Sequence, residues 1–141
     1  MPMRTFAFTG TRKGMSREQK RSVFKLLHNA VDLQVRHGGC HGADTDFHQI
    51  ALKEGLVIYV HPGDAQQATA FQGGRCIVHT PPLPYLKRNH IMVDYCDALI
   101  ACPSGQERVR SGTWATVRYA RRQGKPIFLV QKGGRILEEE G

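Results

Sequence analysis

The sequence predicts a single α/β domain of Rossmann-like, doubly wound type, with a mostly parallel sheet of about five strands. Three observations predict it. Apolar runs and amphipathic segments alternate along the chain, the pattern of a parallel sheet with helices on both faces. Two of the runs, Leu56–Val60 and Ala98–Ala101, are continuous, as strands buried on both faces are. Glycine, serine and threonine cluster just after several of the runs, on the rim where open parallel sheets bind ligands.

Each element has its own signal. Thr5-Phe-Ala-Phe-Thr9 alternates and meets Gly10, a short buried strand entering a tight turn. Ser16 followed by Gln19 is a capping box, and Val23, Leu26, Leu27, Ala30 and Val31 then recur at helical spacing. Residues 34–37 read as a second strand ending at Gly38-Gly39. Ala43-Asp44 opens a second helix with Phe47, Ile50, Ala51 and Leu52 inward, and Gly55 takes the position just past its end. Leu56–Val60 is the third strand. Between His61 and Pro84 the pattern is poor: Gly63, Gly73, Gly74, Pro81, Pro82 and Pro84 mark irregular backbone, with Cys76–His79 as a short strand inside it. Tyr85–Tyr95 reads as a helix and Ala98–Ala101 as a strand stopped by Pro103. A polar loop, Ser104–Arg110, precedes a helix from Ser111 or Gly112 to Arg122, closed by Gly124. Ile127–Val130 is the last strand. The domain spans 1–132, and 133–141 is a short acidic tail with Glu138, Glu139 and Glu140, expected to fray.

At 141 residues, one domain with one core is expected. Hydrophobic residues at 40% and charged residues at 23% fit a soluble globular protein. No apolar run is long enough to span a membrane, and Met1–Thr11 lacks the features of a signal peptide. A cytoplasmic protein with reduced Cys40, Cys76, Cys96 and Cys102 is the expectation. The net charge of +8 favours anionic partners: nucleotides, nucleic acid or acidic surfaces. The basic residues are dispersed, so a solvated basic face accounts for the same number. Internal repeats and low-complexity segments are absent.

Two segments suit phosphate. Gly38, Gly39 and Gly42 precede a helix, where glycine lets backbone approach an anion and the helix start offers free N–H groups. Ser111-Gly112-Thr113 repeats the device with two hydroxyls, and Gly10-Thr11-Arg12 adds a third candidate turn. Each alone reads first as an ordinary tight turn; three on one rim reverse that and favour a site. Arg12 and Arg88 are the cations to place beside an anion, since guanidinium forks two bonds onto phosphate. Asp44 either favours its helix dipole or accepts from a ribose hydroxyl; Asp97 reads as structural. Trp114 stacks on a base or fills the core. His37, Cys40, His41, Cys76 and His79 have short ligand-type spacing, but Gly38-Gly39 fit a turn better, and neither a metal nor a cofactor is expected. No Gly-x-Ser-x-Gly, HExxH or Walker lysine motif occurs; Glu18 and Glu54 belong to helices and should face water.

Four blocks carry a family likeness: Phe8-Thr-Gly-Thr-Arg12; His37-Gly-Gly-Cys-His-Gly-Ala-Asp44; Arg88-Asn-His-Ile-Met92 leading to Asp97-Ala-Leu-Ile-Ala-Cys-Pro103; and Ser111-Gly-Thr-Trp-Ala-Thr-Val117. In this order, over nearly the whole chain, they resemble the SLOG superfamily of Smf DNA-processing and Lonely-guy proteins, and most of all its small YspA-like branch. The resemblance implies a Rossmann-like fold and a nucleotide or nucleotide-derived ligand at the rim, bound by a sensor or sequestering module. Gly10, Thr11, Arg12, Gly39, Gly42, Ser111, Gly112 and Thr113 would bind the ligand, with Arg88 and Asn89 on phosphate or sugar and Asp44 on ribose. The family's enzymes cleave the N-glycosidic bond of nucleoside monophosphates with an arginine and a glutamate. Arg88 matches the arginine, Asn89 replaces a lysine, and Thr116 stands where the glutamate would be. Threonine cannot serve as that carboxylate; a glycosidase would need Asp44 beside Arg88 instead. The Smf branch implies nucleic-acid binding as a further alternative, although no basic-aromatic stripe is visible. The resemblance also suggests a homo-oligomer, with Val117 and Ala120 packing either on a partner or on the sheet.

Overall fold

The computed structural model describes residues 4–64 and 77–141. Cys76, Gly73, Gly74 and Met1–Met3, used in the reading above, lie outside the described residues.

The chain runs β1 (Arg4–Gly10), α1 (Arg17–Leu27), β2 (Leu33–His37), α2 (Ala43–Lys53), β3 (Val57–Val60), β4 (Ile77–His79), α3 (Tyr85–Tyr95), β5 (Ala98–Cys102), α4 (Gly112–Arg122), β6 (Ile127–Val130) and β7 (Ile136–Glu139). The strands form one sheet of order β4-β3-β2-β1-β5-β6-β7. All pairings are parallel except β6 with β7. The α/β, doubly wound expectation holds, and among the described residues the sheet has seven strands where about five were expected.

Strand periodicity explains the two-sided core. In β1 and β5, Phe8, Ile100 and Cys102 pack on the α1 and α2 face, while Ala7, Leu99 and Ala101 pack on the α3 and α4 face. Successive side chains point to opposite faces, so a strand covered on both sides must be apolar throughout. Every residue of β5 is buried. On the first face Phe8 stacks on Phe47 of α2, ring centres 4.2 Å apart. On the second, Met92, Trp114, Val117 and Ala120 close the core. Val117 and Ala120, open in sequence between sheet and partner, therefore pack on the sheet.

The capping box forms: Gln19 N–H donates to Ser16 Oγ and Ser16 N–H to Gln19 Oε1, both at 3.0 Å. Gln19 is itself buried, and its amide donates to Pro103 O and Val130 O, at 2.9 and 3.0 Å, clamping α1 to the ends of β5 and β6. Helix α1 ends earlier than its apolar spacing predicts. Asn29 and Asp32 take positive φ of 59° and 56°, which turns the chain away and leaves Val31 77% exposed. Leu52, expected inward on α2, is partly exposed. Asp97 is structural: its carboxylate accepts from Thr5 N–H at 2.8 Å and its N–H donates to Thr5 O at 2.7 Å, pinning β5 to β1. Glu18 is exposed, while Glu54 meets His28 at 2.8 Å.

The tail does not fray. Residues 136–139 pair antiparallel to β6, Leu137 packs against the second core, and Glu139 forms an ion pair with Arg121 at 2.9 Å. No helix among the described residues is long and apolar enough to cross a membrane.

Candidate functional site

Strands β1 and β5 are neighbours, yet β1 leads into α1 on one face and β5 into α4 on the other. Loops diverging in this way open a crevice at the carboxyl ends of the strands. A cavity of about 530 Å³ lies there, within the roughly 300–1,000 Å³ common for small-molecule sites. Gly10, Thr11, Arg12, Asp44, Arg88, Asn89, Ser111, Gly112 and Thr113 all border it. Gly39 and Gly42, from the same set of sequence candidates, do not.

The reason lies in how the loop between β2 and α2 folds. Gly38 and Cys40 N–H groups donate to Asp44 Oδ2 at 3.1 and 3.2 Å, and Gly39 N–H donates to His37 Nδ1 at 2.9 Å. Ala43 N–H, in the first turn of α2, donates to Thr11 O at 2.9 Å. These donors point into the protein, which differs from the expectation that they would face a phosphate. The glycines serve packing. Gly42 has φ +89° and lies against the Arg12 backbone, where a Cβ would collide with Arg12 O. A Cβ on Gly38 would meet the Arg88 guanidinium carbon at 2.7 Å.

The turn after β1 is fixed by its own hydroxyl and by α2. Thr11 Oγ1 accepts from Lys13 N–H at 3.2 Å, Thr11 N–H donates to Cys102 O at 3.1 Å, and Met15 N–H donates to Asp46 Oδ2 at 2.8 Å. Arg12 extends outward, its guanidinium 5.9 Å from the Tyr85 ring centre.

Arg88 is buried on α3. Its Nη1 donates to Gly38 O and to His61 O, both at 2.9 Å, and its Nε donates to Asn89 Oδ1 at 2.6 Å. Nη2 faces Cys40 Sγ at 3.9 Å. Arg88 thus ties the ends of β2 and β3 to α3, with Nη2 its remaining strong donor group. Asp44 is buried beside it. Burial pushes its carboxyl up to about 6, against the pull of the Cys40 N–H, the Arg88 charge and the Gly38 N–H. His61 is pushed the other way, to about 4, first by burial and then by Arg36 and Arg88. Burial also raises the Cys40 thiol.

Helix α4 supplies the open backbone donors. Ser111 caps it by accepting from Trp114 N–H at 3.3 Å. Gly112 and Thr113 N–H precede the first intrahelical bond and have no partner among the described residues. A Cβ on Gly112 would meet nothing within 4 Å, so the approach to them is clear. Thr116 is buried and donates its hydroxyl to Gly112 O at 2.9 Å, within its own helix. Trp114 belongs to the core and also borders the cavity. Among the described residues Asp44 is the one carboxylate on the cavity wall, facing five cations: Arg12, Lys13, Arg88, Arg108 and Arg110. Sequence reasoning missed Lys13, Arg108 and Arg110. The last two belong to the polar loop Ser104–Arg110, whose basic residues were a readable signal once the loop was placed after β5.

Among the described residues, no group of three His, Cys, Asp or Glu is placed to hold a metal ion. Because Gly39 N–H donates to His37 Nδ1, the His37 proton sits on Nε2 and is donated to His48 Nδ1 at 2.9 Å. Cys40, Cys96 and Cys102 are free thiols; Cys76 lies outside the described residues.

No protein-family model matches the sequence, and no curated protein matches it significantly. Solved structures do match in fold. The molybdenum cofactor binding protein from the phototrophic bacterium Rippkaea orientalis aligns with a TM-score of 0.71 at 19% identity, over 93% of this chain and 78% of that one. DNA processing protein A from Streptococcus pneumoniae aligns with a TM-score of 0.66 at 23% identity, over 90% of this chain and 50% of that one. The same protein from Helicobacter pylori, described for its single-stranded DNA binding mode, gives 0.65 at 19% identity, over 89% of this chain and 64% of that one. These likenesses show the fold, a Rossmann-like α/β domain, and the expectation drawn from sequence agrees at that level.

Proposed function

We propose that this chain is a YspA-like SLOG protein of the cytoplasm that binds a nucleotide or nucleotide-derived small molecule in the cavity between β1 and β5, as a sensor or sequestering module. One observation carries the reading: among the described residues, five cationic side chains and the two open N–H groups of α4 surround a cavity whose only carboxylate is Asp44, itself pushed towards its neutral form. A cavity of that sign concentrates anions, and a helix start adds directed donors. Arg12 at the β1 end, and Ser111, Gly112 and Thr113 at the start of α4, are the groups that would hold phosphate, while Asp44 and Asn89 border the same cavity and would meet a sugar.

The test incubates the full chain with nucleoside mono-, di- and triphosphates, ADP-ribose and cyclic nucleotides, then identifies bound and free fractions by mass spectrometry. An intact nucleotide retained by the wild type and released by Arg12→Ala supports the reading; retention of none overturns it. Arg12 is the residue to change because its side chain is exposed and forms no hydrogen bond or ion pair among the described residues.

Two other readings have a specific observation behind them. Asp44, a carboxyl near 6 beside Arg88, is the group an N-glycosidase would use; free base and ribose phosphate in the same experiment would identify that activity. Nucleic-acid binding has the net charge of +8 and two neighbours named for DNA processing in its favour. It predicts an affinity for single-stranded DNA that falls steeply with salt. A homo-oligomer is part of the proposal, and light scattering checks it.

A further inference from the structure

We propose that the cavity takes a ligand carrying at least two phosphate groups, the second held by Arg108 and Arg110. This deepens the reading above and rests on it.

The cations form two separate poles. Arg12 lies beside Tyr85, whose ring centre is also 5.0 Å from the Arg88 guanidinium carbon, and Arg88 is bonded to the carbonyls that end β2 and β3. That pole sits over the β1, β2 and β3 ends. Arg108 and Arg110 belong to the loop that leaves β5, on the far side of β1. Neighbouring strands are about 4.8 Å apart, so the ends of β2 and β5 are separated by roughly 10 Å. A ligand with a second phosphate extends across that span.

The second pole is preorganised. Arg118 donates to the Glu107 carboxylate, to Arg108 O and to Val109 O, at 3.2, 3.3 and 3.1 Å. Arg121 donates to Glu107 at 3.1 Å and is anchored to Glu139 of β7 at 2.9 Å. Helix α4 therefore grips the backbone of this loop from outside. The Arg108 and Arg110 side chains border the cavity and form no ion pair among the described residues. A loop held in place before binding loses less entropy when an anion arrives.

Alongside that pole, at the start of α4, stands a polar group without a partner. Thr113 is only 7% exposed, borders the cavity, and its hydroxyl has no hydrogen bond among the described residues. With the open N–H groups of Gly112 and Thr113, it would bind phosphate oxygens between the Arg108 and Arg110 side chains and the α4 terminus.

Titration calorimetry of the full chain with orthophosphate, pyrophosphate and tripolyphosphate at constant ionic strength tests this without knowledge of the base. Pyrophosphate should bind at least about tenfold more tightly than orthophosphate, the increment of a second charge-assisted phosphate contact. The double variant Arg108→Ala/Arg110→Ala should abolish the preference and leave orthophosphate affinity within about twofold. Lys25→Ala/Lys53→Ala removes the same charge from the last turns of α1 and α2 and should keep the preference. Equal binding of the two anions by the wild type, or equal loss in the Lys25/Lys53 variant, overturns the inference. Orthophosphate binding without a preference leaves the anion-site reading standing; no binding of any anion removes both.

Discussion

Removing Arg88 separates its architectural role from its expected ligand role. Arg88→Ala deletes two charge-assisted hydrogen bonds to buried carbonyls, those of Gly38 and His61. Each such bond contributes about 1.5–3 kcal/mol, giving an upper range of about 3–6 kcal/mol. Two effects reduce it: a buried cation no longer has to be desolvated, and water from the cavity can reach the vacated carbonyls. About 3 kcal/mol is the expected loss, or roughly 10 °C in Tm for a domain of this size. The loss should also depend on pH. Arg88 attracts the Asp44 carboxylate, so without it the ionised form is costlier and the variant is weaker at pH 8 than at pH 5. Arg88→Lys keeps the charge near Asp44 but cannot fork to both carbonyls, and should restore the pH behaviour more than the stability. Thermal and urea unfolding at the two pH values measure all of this. An Arg88→Ala protein that melts within about 1 °C of the wild type would refute the reasoning and return Arg88 to the role of a ligand arginine.

Asp44 and His61 make opposite contributions to the pH dependence of stability. Asp44 is raised to about 6, so the native state binds the extra proton, and stability falls as pH rises from about 4 to about 6. His61 is lowered to about 4, so the unfolded state binds the extra proton, and stability falls as pH drops from about 6.5 to about 4. Each is worth about 3 kcal/mol and they offset in the wild type; urea unfolding of Asp44→Asn should show stability rising with pH in this window, and of His61→Asn falling. Gly42→Ala forces a side chain into a backbone of φ +89° against Arg12. The backbone alone costs about 1–3 kcal/mol, and displacement of the Arg12 turn should weaken nucleotide retention as well. Ser16→Ala removes an N-cap and should cost about 1 kcal/mol in denaturant unfolding.

The parts of the fold that were readable in the sequence are those set by local rules. Continuous apolar runs marked the doubly covered strands, and Ser16 with Gln19 marked a real helix start. Gly55 and Gly124 take positive φ of 71° and 69° just past α2 and α4, where the punctuation placed them. The misses come from long-range terms. The end of α1 is set by the left-handed Asn29 and Asp32, and Ala30 and Val31 still fit the helical spacing beyond it. β7 looks like a charged tail, since only Ile136 and Leu137 are apolar; it forms because β6 presents an open edge and Arg121 receives Glu139. At the cavity, residue types placed most candidates on its wall. Which N–H groups turn inward could not be read, because the acceptors of the Gly38–Ala43 loop include Thr11, far away in sequence. Arg88 shows the same limit: its partners come from β2 and β3.

The antiparallel β7 also has a bearing on how this protein avoids itself. Without it, β6 would end the sheet with Ile127-Phe-Leu-Val130, four apolar residues with an unpaired backbone ladder. Such an edge invites another chain to add a strand. β7 takes up that ladder and replaces it with an outer rim where Glu139 is paired with Arg121 and the exposed Glu138 and Glu140 repel a second copy approaching edge to edge. The acidic end of an otherwise basic chain thus works as a guard against intermolecular sheet growth.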